Sequence, residues 1–228
     1  MVRAPAAVLA IFSVAACSGI RPLDVAALTR SQPRTVAVAV SQPPDLLTES
    51  GGIPLLPSLA LAVASSASVQ RASVHPDGLA AMGVADPAVI VRGLVFGPLV
   101  QRLGVPQTNT RSYATAAQTP EAVASDARRA DLIIDVRTTR WGIRVTRESN
   151  ALWLEYLGTM RLIDGRSGAV LAEGTCATPG PGSDDEFPAL QTENLATDAW
   201  LLKQELWVLA NRCATRYLTR VLRLPPPS

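Results

Sequence analysis

Histidine is almost absent from this chain of 228 residues, since His75 is the only one. It lies in the turn-like stretch SVHPDGL with Ser73 and Asp77 beside it. A Ser–His–Asp triad is assembled in space and not by local spacing. We therefore interpret His75 as a loop residue, and we assign no catalytic residue. A single histidine also excludes the usual zinc sites that use several imidazoles. We expect no enzyme activity, no metal and no cofactor.

Lysine is equally scarce, because Lys203 is the only one and every other basic residue is an arginine. The 21 basic and 19 acidic side chains leave a formal net charge of +2. This balance implies no basic face, so nucleic acid is not an expected partner. The glycines at 51–52 and 93–97 match neither phosphate-binding fingerprint. The acidic run at 184–186 lacks the alternation of a calcium loop, and we interpret it as a solvated loop.

Cysteine occurs three times, and the first one, Cys17, directly follows an apolar run. The chain opens MVRAPAAVLAIFSVAAC, in which Arg3 supplies a positive start and residues 6–16 are apolar. This is the pattern of a secretory signal peptide. The run is shorter than the roughly 20 apolar residues that a transmembrane helix needs.

The four residues VAAC that end at Cys17 resemble the lipobox of bacterial lipoprotein signal peptides. The resemblance implies that residues 1–16 are removed and that Cys17 carries acyl chains such as palmitate. Each buried CH₂ of such a chain contributes about 0.8 kcal/mol of anchoring. Ser18 follows where Asp would retain a lipoprotein at the inner membrane, so the resemblance implies the periplasmic side of the outer membrane. The alternatives are an ordinary secretory signal and an uncleaved anchor.

The patterns after Cys17 indicate one α+β domain, with an antiparallel-rich sheet that packs against helices. We expect a tether over residues 17–34 and a periplasmic domain over residues 35–223, which is long enough to bury a core. The stretch TVAVAV, from Thr35, has the period-2 alternation of a strand. Residues 104–118 are polar and loop-like. Residues 57–69 are apolar and predict either a helix or a segment that contacts the membrane.

A β-meander is the best-defined part of the prediction. Three runs, DLIIDVRTTRWGIRV, ALWLEYLGTMRLI and AVLAEGTCA, predict strands near 131–146, 150–163 and 169–177. The last two are joined by DGRSG, in which Asp-Gly is typical of a hairpin turn. Asp131 and Asp135, at the start of the first strand, could form a buried acid pair. A helix-to-strand junction and a strand edge explain them equally well.

Three helices are predicted from caps and periodicity. Asp86 and Pro87 can begin one, with a break expected at Pro98. Another covers 120–129, where a threonine cap and a proline precede a glutamate. The last runs over about 195–222 and carries one apolar stripe at spacings of three and four. This stripe is formed by Leu202, Leu206, Leu209, Cys213, Tyr217 and Val221.

Two cysteines remain once Cys17 carries lipid, and they are predicted to pair. Cys176 ends the third meander strand, and Cys213 lies on the stripe of the last helix. Exported proteins fold in an oxidising compartment, where thiols tend to form disulfides. The bridge would close a loop of about 38 residues, which contributes roughly 4 kcal/mol in the chain-entropy model. Two buried thiols are the alternative.

The order of elements resembles small envelope lipoproteins of the curli-secretion and penicillin-binding-protein-activator type. The resemblance is carried by TVAVAV, ARRADLIIDVRTTRW and LEYLGTMRLIDGRSGAVLAEGTC, within residues 34–222. It implies a fold related to the N-terminal domain of the translocation protein TolB, and it transfers no functional residue. We expect a lipid-anchored binding or assembly module that presents its domain to an envelope partner. The alternative is an accessory lipoprotein of a lipid or solute transport system, with residues 53–69 as the ligand surface.

Overall fold

The computed structural model describes residues 20–50, 70–127, 130–145, 152–178 and 199–225, which form one sheet with helices on both faces. The strands are β1 (Ile20–Arg21), β2 (Val36–Val40), β3 (Leu46–Ser50), β4 (Gln70–Val74), β5 (Thr110–Ala114), β6 (Leu132–Val145), β7 (Leu152–Asp164) and β8 (Val170–Ala177). The helices are α1 (Val25–Ser31), α2 (Pro76–Ala81), α3 (Pro87–Leu103), α4 (Pro120–Asp126) and α5 (Ala199–Arg216). A π-helical turn, Tyr217–Val221, continues α5.

The sheet is mixed, with its neighbours in the order β1-β8-β7-β6-β2-β5. Strands β6, β7 and β8 form the expected antiparallel meander. The expectation of an antiparallel-rich sheet omits a parallel part, since β2 runs parallel to both β5 and β6. Strand β3 also pairs in parallel with the far end of β6, and β4 pairs with β3. Parallel neighbours need crossover connections, and segments containing α2, α3 and α4 supply them here.

The predicted tether is wrong from Ile20 onward, because residues 20–31 belong to the folded domain. β1 pairs with β8, with Ile20 opposite Gly174. The amide of Leu23 donates to the carbonyl of Val221 at 2.7 Å. Asp24 then caps α1 by accepting from the Ala27 amide at 2.8 Å. Backbone hydrogen bonds to distant strands and helices, which no local pattern shows, hold this segment in place.

Two further expectations are corrected by tertiary pairing and packing. The loop predicted over residues 104–118 contains β5, a short polar strand that forms because β2 offers it a parallel partner. The break predicted at Pro98 does not occur, and α3 continues to Leu103. Buried side chains on both sides of Pro98, including Val95 and Leu99, pack this helix into the core.

The larger core, called the main core here, lies between the sheet and helices α3 and α5. The apolar stripe predicted for the last helix faces it, and all six of its residues are buried. Cys176 of β8 and Cys213 of α5 form a disulfide, with their Cα atoms 5.6 Å apart. A smaller core on the opposite face packs α4 against β2 and β6. The disulfide therefore joins the sheet covalently to the helix that covers it.

The β7–β8 hairpin requires glycine at two positions for different reasons. Gly168 has a φ of +71°, the left-handed conformation that glycine adopts most easily. Gly165 instead approaches the backbone just before β6, because a Cβ built there would lie 1.9 Å from the carbonyl oxygen of Ala130. The positive φ thus falls at Gly168 and not at the Asp-Gly pair that predicted the turn.

Several predictions concern residues outside the described ranges. They are the lipobox at Cys17, the apolar segments at 53–69 and 57–69, the acidic run at 184–186 and the start of the last helix at 195–198. Within the described residues, no helix has both the length and the apolar character that crossing a membrane requires.

Candidate functional site

A buried ionic cluster lies on the α4 side of the sheet, around Asp135. This aspartate is fully buried, and it accepts hydrogen bonds from the guanidinium groups of Arg137 and Arg161. The shortest contacts are 2.8 Å from Arg137 Nη2 and 2.6 Å from Arg161 Nη2 to Asp135 Oδ2. Both arginines also donate to the segment before α4, at the carbonyl oxygens of Ala117 and Gln118. The cluster therefore fastens that segment to the sheet, and its hydrogen bonds are directed within the protein.

Asp131 does not join Asp135, so the buried acid pair does not form. Its carboxylate accepts from the backbone amides of Arg34 and Thr35 and from the guanidinium of Arg166, at 2.7 Å. Burial acts to raise the pKa of Asp131, but these hydrogen bonds outweigh it and lower the pKa. This is the helix-to-strand junction that the sequence allowed as the alternative.

A second polar cluster is buried on the main-core side, where α3 meets a bulge in β6. Asp86 caps α3 by accepting from the Ala88 amide at 3.0 Å, and it also accepts from the Thr138 hydroxyl. Burial raises the pKa of Asp86, and it also raises the pKa of Tyr156, which hydrogen-bonds with Thr138. Arg92 donates to the carbonyl of Val136 at 3.4 Å, and burial lowers its pKa. Arg92, Thr138 and Tyr156 are buried, and Asp86 is half-buried, so most of this cluster is shielded from solvent.

His75 lies at the surface, at the start of α2. Its Nδ1 accepts from the Asp77 amide at 3.3 Å, and 58% of its side chain is exposed. The residue thus caps a short helix. Among the described residues, no three histidine, cysteine or acidic side chains are placed to hold a metal ion.

We consider an apolar groove of about 380 Å³, which is formed by described residues, as a candidate binding site. It lies where α1, the end of α3 and the chain after α5 meet. Its apolar wall consists of Leu23, Val25, Leu28, Pro33, Leu99, Leu103, Leu222 and Leu224. Pockets for small ligands typically measure about 300–1,000 Å³ and combine such walls with a few polar groups.

Two arginines, Arg102 and Arg223, supply the charge in this groove. Neither guanidinium forms a hydrogen bond or an ion pair with another residue in the described part of the chain. Arg223 has a φ of +56° and Gln32, also in the groove wall, a φ of +40°. Side chains in this left-handed region cost roughly 1–2 kcal/mol, and glycine avoids that cost. The backbone is therefore strained at two positions beside the same groove.

Two tryptophans are exposed on α5. Trp200 is 60% and Trp207 is 56% accessible to solvent. They lie seven residues apart, which is two helical turns, so they share one face of the helix. The exposed Lys203 and Gln204 lie between them. Large aromatic side chains on one surface are typical of protein interfaces.

The sequence analysis found neither the groove nor the tryptophan face. The groove combines residues 23–33, 99–103 and 222–224, which are distant in the chain. Its first part was assigned to a tether, so its leucines were not counted as lining residues. The tryptophan face could have been found, because Trp200 and Trp207 are seven residues apart in the sequence. On the predicted last helix, this spacing places both on one face, away from the apolar stripe.

The described residues form a mixed α/β domain that carries an open apolar groove. The chain matches no protein-family model, and no curated protein matches it in sequence. Similar solved structures include the PelC dodecamer from Paraburkholderia phytofirmans, with 14% identity, 80% of this chain and 87% of that chain covered, and a TM-score of 0.34.

Two further solved structures show comparable likeness. Lipoprotein GNA1162 from Neisseria meningitidis is 13% identical, with 80% of this chain and 99% of that chain covered and a TM-score of 0.31. The LpoB C-terminal domain from Salmonella enterica is 10% identical, with 65% and 84% covered and a TM-score of 0.21. At these TM-scores, the likenesses assign no function to this chain.

Proposed function

We propose that this protein is a lipid-anchored binding or assembly module of the bacterial envelope, without catalytic activity. Cys17 is its anchor at the periplasmic side of the outer membrane, and the domain contacts an envelope protein. The observation that carries the proposal is the exposed pair Trp200 and Trp207 on α5. Tryptophan is enriched in interface hot spots because it buries a large apolar area on contact.

The disulfide supports both the location and the rigidity of this surface. Disulfides persist in oxidising compartments such as the periplasm. Cys213 lies on the helix that carries Trp200 and Trp207, and Cys176 lies on the sheet beneath it. The tryptophans are therefore presented by a helix that is covalently fixed to the rest of the domain, which lowers the ordering cost of binding.

The experiment places a photoreactive amino acid at Gln204, between the two tryptophans, in intact cells. We expect a discrete cross-linked protein partner that disappears in the variant Trp200→Ala/Trp207→Ala. The same photoreactive group at Ala26, an exposed position on α1 outside the groove, is the matched control and should not form this adduct. An adduct that survives the double substitution, or no adduct at all, would contradict the assembly function.

A second function is favoured by the groove. An accessory lipoprotein of a lipid transport system would need a surface that accepts an acyl chain, and the groove at Leu28, Leu99 and Leu103 is apolar and open. This surface differs from residues 53–69, which the sequence suggested for the purpose. Organic extraction of the full-length protein, followed by mass spectrometry, tests this alternative. Co-purifying lipid in stoichiometric amount supports transport, and a lipid-free protein opposes it.

A further inference from the structure

We propose that the groove between α1, α3 and the chain after α5 binds one long-chain fatty acid. The acyl chain lies along the leucines of the groove, and the carboxylate contacts Arg102 and Arg223. The proposal deepens the transport alternative and rests on the proposed membrane anchor for the supply of the fatty acid.

The lining of the groove fits a single acyl chain. Leu23, Leu99 and Leu222 are buried behind it, whereas Val25 at its edge is 55% exposed. Each Å² of apolar surface that stays exposed to water costs about 25 cal/mol relative to the same surface when it is buried. A ligand that covers Val25 and the half-buried Leu28 and Leu103 recovers that free energy for the part of the wall that is still open to water. The volume of about 380 Å³ is near the lower end for ligand pockets, which favours one chain over two.

The charges of the groove fit an anionic head group. Arg102 and Arg223 are both exposed, and no described acidic residue lines the groove with them. A guanidinium binds a carboxylate through two parallel hydrogen bonds, which makes arginine the preferred partner of this group. A neutral ligand would leave both charges uncompensated beside an apolar wall.

The backbone at Arg223 gives independent support. A left-handed residue after a helix is normally glycine, because glycine adopts positive φ without strain. Arginine at φ +56° is therefore the more costly choice at this position. Strained residues are concentrated at ligand sites, where the side chain has a task that compensates the strain. Here the task is to supply a guanidinium to the groove.

A lipid on Cys17 would bring the groove close to the membrane. Ile20 is fixed on the sheet by β8, and three peptide units separate it from Cys17. They span at most about 10 Å when fully extended. Leu23, three residues after Ile20, already lines the groove. An acylated Cys17 thus holds the groove within a short distance of the bilayer, where fatty acids are available.

The test uses the full-length chain in membrane vesicles and two photoreactive probes, a diazirine palmitate and the corresponding neutral hexadecanol. We expect palmitate to label peptides that contain Leu28 or Leu103, and excess unmodified palmitate to suppress the labelling. Hexadecanol should label them at least about tenfold less, because it cannot form charge-assisted hydrogen bonds. Equal labelling by both probes would overturn the assignment of the carboxylate, and labelling elsewhere would overturn the site.

Matched variants separate recognition from folding. Arg102→Gln/Arg223→Gln should reduce palmitate labelling about tenfold or more. Arg30→Gln/Arg220→Gln removes the same charge from exposed positions outside the groove and should leave labelling unchanged. Arg223→Gly relieves the positive φ while it removes the guanidinium, so labelling should fall although thermal stability does not. Undiminished labelling in Arg223→Gly and in the double glutamine variant would refute the proposal.

Failure of the groove and failure of the anchor give different results. If Cys17 is not lipidated, the chain leaves the vesicle fraction on washing, and the same labelling is measured on the soluble chain. If the chain stays in the vesicles but its groove peptides are not labelled, the fatty-acid site fails alone. A variant that lacks residues 226–228 tests whether the end of the chain itself occupies the groove. If this variant is labelled more strongly than the full chain, residues 226–228 are the occupant and the proposal is overturned.

Discussion

Asp135 on β6 lies directly opposite Arg161 on β7, and the carboxylate of one accepts two hydrogen bonds from the guanidinium of the other. The Arg161 Nη2 to Asp135 Oδ2 distance is 2.6 Å, and both side chains are buried. Arg137 contacts the same carboxylate from the other side. One buried acid thus compensates two buried bases, and its removal leaves both guanidinium groups buried without a negative countercharge.

We expect Asp135→Asn to lower the free energy of unfolding by about 3–5 kcal/mol, the usual cost of breaking a buried ion pair from one side. Urea denaturation of the purified protein measures this change. The control is Arg166→Gln, which breaks an exposed ion pair with Asp131 and should cost less than about 1 kcal/mol. Equal effects of the two substitutions would contradict a structural role specific to the buried cluster.

The disulfide should contribute a large part of the stability. The bridge spans 37 positions of sequence, so Cys176→Ala/Cys213→Ala should lose about 4 kcal/mol in the chain-entropy model. Reductant should shift the urea midpoint of the wild-type protein and leave that of the double variant unchanged. Alkylation of the unreduced, denatured protein is the direct check, and two labelled thiols from positions 176 and 213 would contradict the bridge.

The stability should depend on pH through Asp86. Burial raises its pKa in the folded state, so the folded state binds this proton more tightly than the unfolded state. The contribution of Asp86 to stability is then present below the unfolded pKa of about 3.9 and is lost as pH rises through the folded pKa.

Asp86→Asn isolates this dependence because asparagine is an equally good helix cap. The difference in unfolding free energy, wild type minus variant, should decrease as pH rises from about 4 through the mildly acidic range. Chemical denaturation at a series of pH values measures it. A difference that stays constant, or that increases with pH, would show that the carboxyl is not destabilised by burial.

Lipidation should require Cys17. Cys17→Ala is expected to block cleavage by lipoprotein signal peptidase and to abolish labelling by radioactive palmitate. Gel mobility and acyl labelling of whole cells measure these two effects. Cys213→Ala is the control, because that thiol lies in the core and is engaged with Cys176. A Cys17→Ala protein that is still processed and still retained in the membrane would refute the lipobox interpretation.

The elements that the sequence predicted correctly are those with a strong local period. Strands β2, β6, β7 and β8 lie where the alternation placed them, and α5 lies where the apolar stripe placed it; α4 lies where its threonine cap and proline placed it. The four strands and α5 each turn a row of buried residues toward a core, so their pattern of burial follows from the order of residues. The partnership of Cys176 and Cys213 followed from that pattern, because both residues lie on faces that meet.

The candidate binding surface could not be predicted in the same way. The polar strand β5 has no marked period and forms because β2 supplies hydrogen-bonding partners. Segment 20–34 looked like a tether because its hydrogen bonds go to Gly174, Leu171 and Val221, far away in sequence. The sequence pattern did not distinguish Asp131 from Asp135. Their roles differ because each accepts hydrogen bonds from a different set of residues in the folded chain.

The sequence by itself therefore determined the meander, the last helix and the pairing of its cysteines, because each rests on local periodicity or on counting, and its signal-like start stays a prediction. The tertiary structure alone decided the parallel half of the sheet, the burial of Asp135 between two arginines, and the groove. The groove is formed by Leu28, Leu103 and Leu222, which come from three distant segments. Contacts of this kind depend on how the chain closes in space, and no window of neighbouring residues contains them.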